Sequence, residues 1–113
     1  MNKLMGKLGE EIACRYLIKN DYKILERNYA TKFAEVDIIA IKNMTIVIVE
    51  VKTRKNSDVL HASQAVDYRK IKKLKTIALY YIDQNNLYDY NLRFDIIECY
   101  WQRKKINHII NAF

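Results

Sequence analysis

Apolar residues recur at helical spacing over Lys3–Lys19, where Leu4, Met5, Leu8, Ile12, Ala13, Tyr16 and Leu17 share one face. Asn20–Tyr22 ends this helix. Tyr22–Tyr29 alternates and predicts a first strand. Phe33–Lys42 and Thr45–Thr53 are rich in β-branched residues and predict a second and a third, joined by a tight turn at Lys42–Thr45. Helical spacing returns from Ala62 to Gln84, with Ile71, Leu74, Ala78, Tyr81 and Ile82 as its stripe. Lys72 and Lys73 lie off that stripe, and Lys70 sits on its border. Leu92–Tyr100 predicts a fourth strand and Ile106–Phe113 a fifth. The order α-β-β-β-α-β-β describes an α/β domain, a mixed central sheet flanked by helices.

Four charges interrupt the apolar run Glu35–Arg54: Glu35, Asp37, Glu50 and Lys52. Alternation puts Glu35 and Asp37 on one face of their strand and Glu50 and Lys52 on one face of theirs. With Asn43-Met44 as a two-residue loop, Asp37 faces Glu50 and Glu35 faces Lys52. Met44 fits such a loop poorly if it must take a positive φ. Facing residues have Cβ atoms about 4.5–5.5 Å apart. Two carboxylates so close repel unless one is protonated or a cation lies between them. A divalent cation with oxygen ligands suits the pair, and a neighbouring lysine suits a phosphate or an attacking water. The competing reading is a solvated face with Glu35 and Lys52 as a cross-strand ion pair. The residues between the charges weigh against it. Val36, Ile38, Val49 and Val51 predict a core on the opposite face, and Ile39, Ile41, Ile46 and Ile48 continue the acidic face as apolar.

Composition narrows the setting. The 113 residues suit a single domain, with no proline, two glycines and no linker. A formal net charge of +7 favours a polyanionic partner, nucleic acid before anionic membrane. Cys14 and Cys99 lack metal-ligand spacing and read as reduced core thiols. The charged N-terminus has no signal-peptide pattern, and no stretch reads as a membrane span, so a cytoplasmic location is expected.

At Ala34–Ala40 and Ile48–Arg54 the sequence resembles the YraN family of small bacterial proteins. That family's pattern is G-E-I-D-L-I-A followed by V-E-V-K-T-R; Ala34 here replaces the usual glycine. Gly6–Leu17, Ile24–Tyr29, Lys70–Ile82 and Arg93–Ile97 extend the resemblance over nearly the whole chain. The family is similar to Holliday-junction resolvases and other restriction-endonuclease-like proteins with the PD-(D/E)xK core. The resemblance implies that fold and Mg²⁺- or Mn²⁺-dependent cleavage of DNA, with branched or structured DNA among the candidate substrates. It assigns Asp37 and Glu50 as metal ligands, the backbone carbonyl of Val51 as a third, Lys52 to the attacking water, and Glu10 as a supporting ligand. Helical spacing alone leaves Glu10 and Glu11 equivalent at the borders of the stripe. Glu35 matches the family's own glutamate, to which the resemblance gives no defined role, and it joins Gln64 as a candidate supporting residue. Gln64 and Tyr68 fit a weak Q-x-x-x-Y pattern of related nucleases, and an ordinary polar–aromatic helical pair is the stronger reading of them.

Basic residues supply the remaining expectations. Arg54 and Lys55 follow the E-x-K strand, Arg69–Lys75 carries Lys70 and Lys73, and Arg103–Lys105 forms a third cluster. On a nuclease these would contact phosphates without reading sequence. Otherwise they are solvated side chains. Trp101 reads as packing in preference to base stacking, and His61 and His108 as isolated. A catalytically weak or inactive nucleic-acid-binding module of the same fold is the rival function. Cutting a junction's two equivalent strands would favour a homodimer.

Overall fold

A computed structural model describes residues 3–55, 67–102 and 104–113. The elements are α1 (Lys3–Lys19), β1 (Lys23–Ala30), β2 (Glu35–Lys42), β3 (Thr45–Arg54), α2 (Tyr68–Gln84), β4 (Asn91–Tyr100) and β5 (Lys105–Ile109). The five strands form one sheet in the order β1-β2-β3-β4-β5. All neighbours are antiparallel except β3 and β4, which run parallel from Thr45–Asn91 to Arg54–Tyr100. A parallel pair needs a crossover, and α2 lies within it. This is the expected α/β order. The helix α2 begins at Tyr68, later than periodicity suggested. Asp67 is extended (φ −83°, ψ 171°) and its carboxylate accepts the Lys70 N–H, capping the first turn. Residues 62–66 of the predicted helix lie outside the described residues.

Both faces of the sheet are covered. Ile39, Ile46, Ile48, Phe94 and Ile96 pack with Leu74, Ile77, Ala78 and Tyr81 of α2. Ile38, Ala40, Val47, Val49, Ile97 and Cys99 pack with Ala13, Cys14 and Leu17 of α1. The two cysteines are free and buried. The packing face of α1 differs from the predicted stripe. Leu4 and Leu8 are exposed, whereas Gly9, Ala13, Cys14 and Leu17 are buried. Small residues let the helix approach β3, and a Cβ at Gly9 would force the Thr53 hydroxyl to turn away.

Two asparagines set the strand geometry. Asn43 has a φ of 55° and Met44 does not join it in the positive region, so the hairpin spares methionine that conformation. Asn28 has a φ of 52° within β1, opposite Asp37 in the register that pairs Arg27 with Ile38 and Tyr29 with Val36. Asparagine tolerates this left-handed geometry better than most residues. Across it the faces exchange. Val36 belongs to the core under α2 and Ile38 to the core under α1. Strict alternation would have kept both on one face, as the sequence reading expected.

Candidate metal and nucleic-acid site

The β2–β3 ladder runs from Lys42–Thr45 to Ile38–Val49, the register predicted from the turn. Asp37 and Glu50 are the next positions, and there side chains replace backbone pairing. The Val51 N–H donates to Asp37 Oδ2 at 2.8 Å. The Asp37 and Glu50 carboxyls lie close enough that each charge opposes ionisation of the other. Glu50 is 3% exposed. Burial first, and the Glu50 charge second, push the Asp37 carboxyl from 3.8 up to about 8. A half-buried acid whose ionisation is opposed by a buried neighbouring carboxyl is the opposite of a solvated charged face.

Two ammonium groups meet Glu50. Lys52 Nζ lies 3.9 Å from Glu50 Oε2, so Lys52 pairs along its own strand. The cross-strand Glu35–Lys52 pair does not form, because the ladder has ended and Glu35 is exposed. Lys70, from the first turn of α2, ion-pairs with the same Glu50 oxygen. Its place on the border of the α2 stripe was the available signal. Phosphate contact was expected of Lys70, but in this state it neutralises Glu50. Burial would lower its pKa, yet the hydrogen bond and charge of Glu50 raise it above the ordinary value. Burial lowers Lys52, and the neighbouring Lys70 charge adds to that shift.

The structure also separates the two helix glutamates. Glu11 pairs with Arg27 at 3.1 Å and Arg15 at 3.8 Å. Burial raises the Glu10 pKa and the charges of Glu35 and Glu50 add to the rise, against a lowering from the neighbouring Asn28 side chain. The Asn28 kink therefore links α1 to the acid pair. Among the described residues no group of three His, Cys, Asp or Glu side chains converges on a metal position. The side-chain donors held together are the Asp37–Glu50 pair, with Glu10 beside it.

Beyond Lys52, Arg54 Nε lies 3.5 Å from Glu98 Oε2. Glu98 is 2% exposed and its other oxygen accepts from Asn107 Nδ2 at 2.9 Å. An acid two residues beyond the inward-facing Ile96 was the missed signal. Lys55 and Lys73 are exposed. Gln64, His61 and Arg103 lie outside the described residues.

A second polar cluster lies toward α1. Asp95, fully buried, accepts from Arg93 Nε at 2.9 Å, Arg93 Nη2 at 2.8 Å and the Asn111 N–H at 3.0 Å. His108 Nε2 lies 2.7 Å from Asp95, and His108 Nδ1 lies 3.0 Å from the Tyr16 hydroxyl. Burial alone would raise Asp95, but the His108 and Arg93 hydrogen bonds hold it below the usual carboxylate range. The histidine read as isolated is thus part of a buried network joining α1, β4 and the C-terminal segment.

Among the described residues no helix is long and apolar enough to cross a membrane. The model of the Uncharacterised protein family UPF0102 matches residues 9–99. A UPF0102 protein of Clostridioides difficile is 46% identical, with 99% of this chain and 98% of that protein aligned. One from Caldanaerobacter subterraneus is 47% identical over 98% of this chain and 95% of its own length. The matched span opens at Gly9, where α1 meets β3, takes in Asp37, Glu50 and Lys52, and closes at Cys99 on β4. With relatives aligned almost end to end, the chain belongs to the uncharacterised protein family UPF0102, the family its Ala34–Ala40 and Ile48–Arg54 segments resembled under the name YraN.

Proposed function

We propose that this protein is a divalent-metal-dependent endonuclease that hydrolyses DNA phosphodiester bonds, with branched or structured DNA as the candidate substrate. The observation that carries the reading is the pairing of a half-buried Asp37 carboxyl with the buried Glu50 carboxyl, beside the Lys52 ammonium. The donor set fits a hard cation. The two carboxyls can ionise together only with a cation beside them, and Mg²⁺ commonly takes one or two carboxylates with water and substrate phosphate. Asp37 and Glu50 would hold Mg²⁺ or Mn²⁺, with the Val51 carbonyl as a further donor and Glu10 in support. Bound there, the ion would supply Lewis acidity at the phosphoryl oxygens. Lys52, with its pKa lowered, would orient the attacking water and take part in moving its proton. Lys70 would exchange Glu50 for a backbone phosphate once the ion neutralises the pair. Arg54, steadied by Glu98, would contact a neighbouring phosphate, and exposed Lys55 and Lys73 would add sequence-independent affinity.

A specific observation favours the second reading, a binding module without turnover. Lys70 on Glu50, with the raised Asp37 pKa favouring its neutral form, already compensates the site without metal. Cleavage of linear, nicked, flapped and four-way DNA in Mg²⁺ and Mn²⁺ separates the two. Wild type should cut at least one form and Lys52→Ala none. Equal residual cutting by both would defeat the nuclease reading.

A further inference from the structure

A cavity of about 260 Å³ opens between α1 and the β4–β5 turn. Gly9 and Ile12 line one side, Thr53 and Ile106 another, and Trp101 joins them; Lys104 and Lys105 complete the lining. Small-molecule sites usually measure about 300–1,000 Å³, so this one has room for a ring system and little more. Thr53 points to α1, so the cavity lies on the α1 face of the sheet, at the end of the strand whose other face carries Glu50 and Lys52. The Trp101 N–H donates to the Arg54 carbonyl at 2.9 Å, fastening the turn to the end of the E-x-K strand. Gly9 precedes Glu10, and Thr53 lies between Lys52 and Arg54. Trp101 is half-buried, and its indole N–H donates to Met5 Sδ, which orients the ring. Lys104 and Lys105 are exposed.

We infer that this cavity takes one unpaired nucleobase of a DNA strand bound at the Asp37–Glu50 site. An apolar slot with an aromatic wall and two ammonium groups matches a flat ring joined to an anion, and a nucleotide is both. Base–aromatic stacking tolerates any base, because each has a π-face. A base within a duplex cannot enter without leaving its stack, so the slot selects single strands, flaps and open branch points over continuous duplex. The inference rests on the nuclease reading in taking the anion to be a DNA backbone. It adds a means of choosing unpaired DNA.

Trp101 is the chain's single tryptophan, so its emission reports the slot directly. The full chain is titrated in chelator with an oligothymidylate, an abasic strand of equal length and a duplex. The oligothymidylate should quench Trp101; the abasic strand and the duplex should bind through their phosphates and leave the emission unchanged. Quenching of equal depth by all three would overturn the inference. Trp101→Ala should weaken single-strand binding about 5- to 150-fold, the range for loss of one stacked base, and leave duplex affinity within about twofold. Trp101→Phe should restore most of the loss. If Trp101→Ala does not fold, Ile106→Phe fills the slot from β5 and should likewise abolish the quench; an unchanged quench would overturn the inference. Lys52→Ala separates this idea from the nuclease reading. It should lose cleavage and keep base-dependent quenching. Quenching without cleavage by any form would leave the slot standing and remove the nuclease; cleavage without quenching would do the reverse.

Discussion

Asp37→Asn should stabilise the metal-free protein, by a margin that grows with pH. The unfolded chain releases this proton near 3.8 and the folded chain near 8. Below the lower value both states hold the proton and nothing is lost. Between the two only the unfolded chain ionises, so stability falls as pH rises until the folded carboxyl ionises as well. At about 1.4 kcal/mol per pH unit the full interval corresponds to roughly 6 kcal/mol. Asp37 is partly open to solvent, and screening there leaves about 2–3 kcal/mol as the working expectation. The amide substitutes well. Its oxygen can accept the Val51 N–H that Asp37 Oδ2 accepts now, and its NH₂ can donate to Glu50. Urea unfolding in chelator at about pH 5 and about pH 8 measures the effect. Wild type should lose about 2–3 kcal/mol more than Asp37→Asn across that range. Mn²⁺ at about a hundred times its Kd should then add about 2.7 kcal/mol to wild type and far less to the variant. A variant less stable than wild type at the higher pH would refute the reasoning, because Asp37 would then have to be held as an anion by a cation.

Glu50→Ala should lose metal affinity and cleavage together, whereas Lys52→Ala should keep Mn²⁺ binding in calorimetry and lose cleavage alone. Lys70→Gln removes the ammonium that competes for Glu50, so Mn²⁺ should bind severalfold tighter while metal-free stability falls by about 1 kcal/mol. Arg54→Ala should weaken all DNA forms alike and flatten the dependence of affinity on salt; an unaltered slope would show that Arg54 meets no phosphate. Asp95→Asn should cost about 3–5 kcal/mol by denaturation, because Arg93 loses its buried partner. In wild type the stability supplied by Asp95 is present above about 3.8, the unfolded carboxyl value, and is lost as pH falls toward and through its lower folded value.

The parts readable from sequence were those determined by short range. Alternation and a two-residue turn set the β2–β3 register, and with it the meeting of Asp37 and Glu50, since a slip of one residue would reverse both faces. Element order followed from the switch between periods of two and 3.6. Long-range contacts were harder to read. The leucines of α1 advertised a face that the helix does not bury, because close approach to β3 favoured Gly9 and Ala13. Val36 joins the core under α2 although alternation from Ile38 placed it on the other face. Lys70 finds Glu50 across the α2 crossover, and His108 finds Asp95 from the far edge of the sheet; neither pairing has a local signature.

The β2–β3 hairpin acts as a gauge. Five ladder pairs separate the Asn43-Met44 turn from Asp37 and Glu50. What the two acids need is that ladder, not the number of residues between them. Added residues at the turn would lengthen only a loop, and each doubling of a loop costs about 0.6 kcal/mol. One residue inserted between Ile38 and Lys42, or between Thr45 and Val49, would instead turn a carboxyl to the other side of the sheet. Insertions and deletions accepted across relatives should therefore gather at the turn and be missing from both strand segments. The hairpin is also a practical place to attach a label or a fused domain, because it leaves the acid pair at the opposite end of the ladder undisturbed.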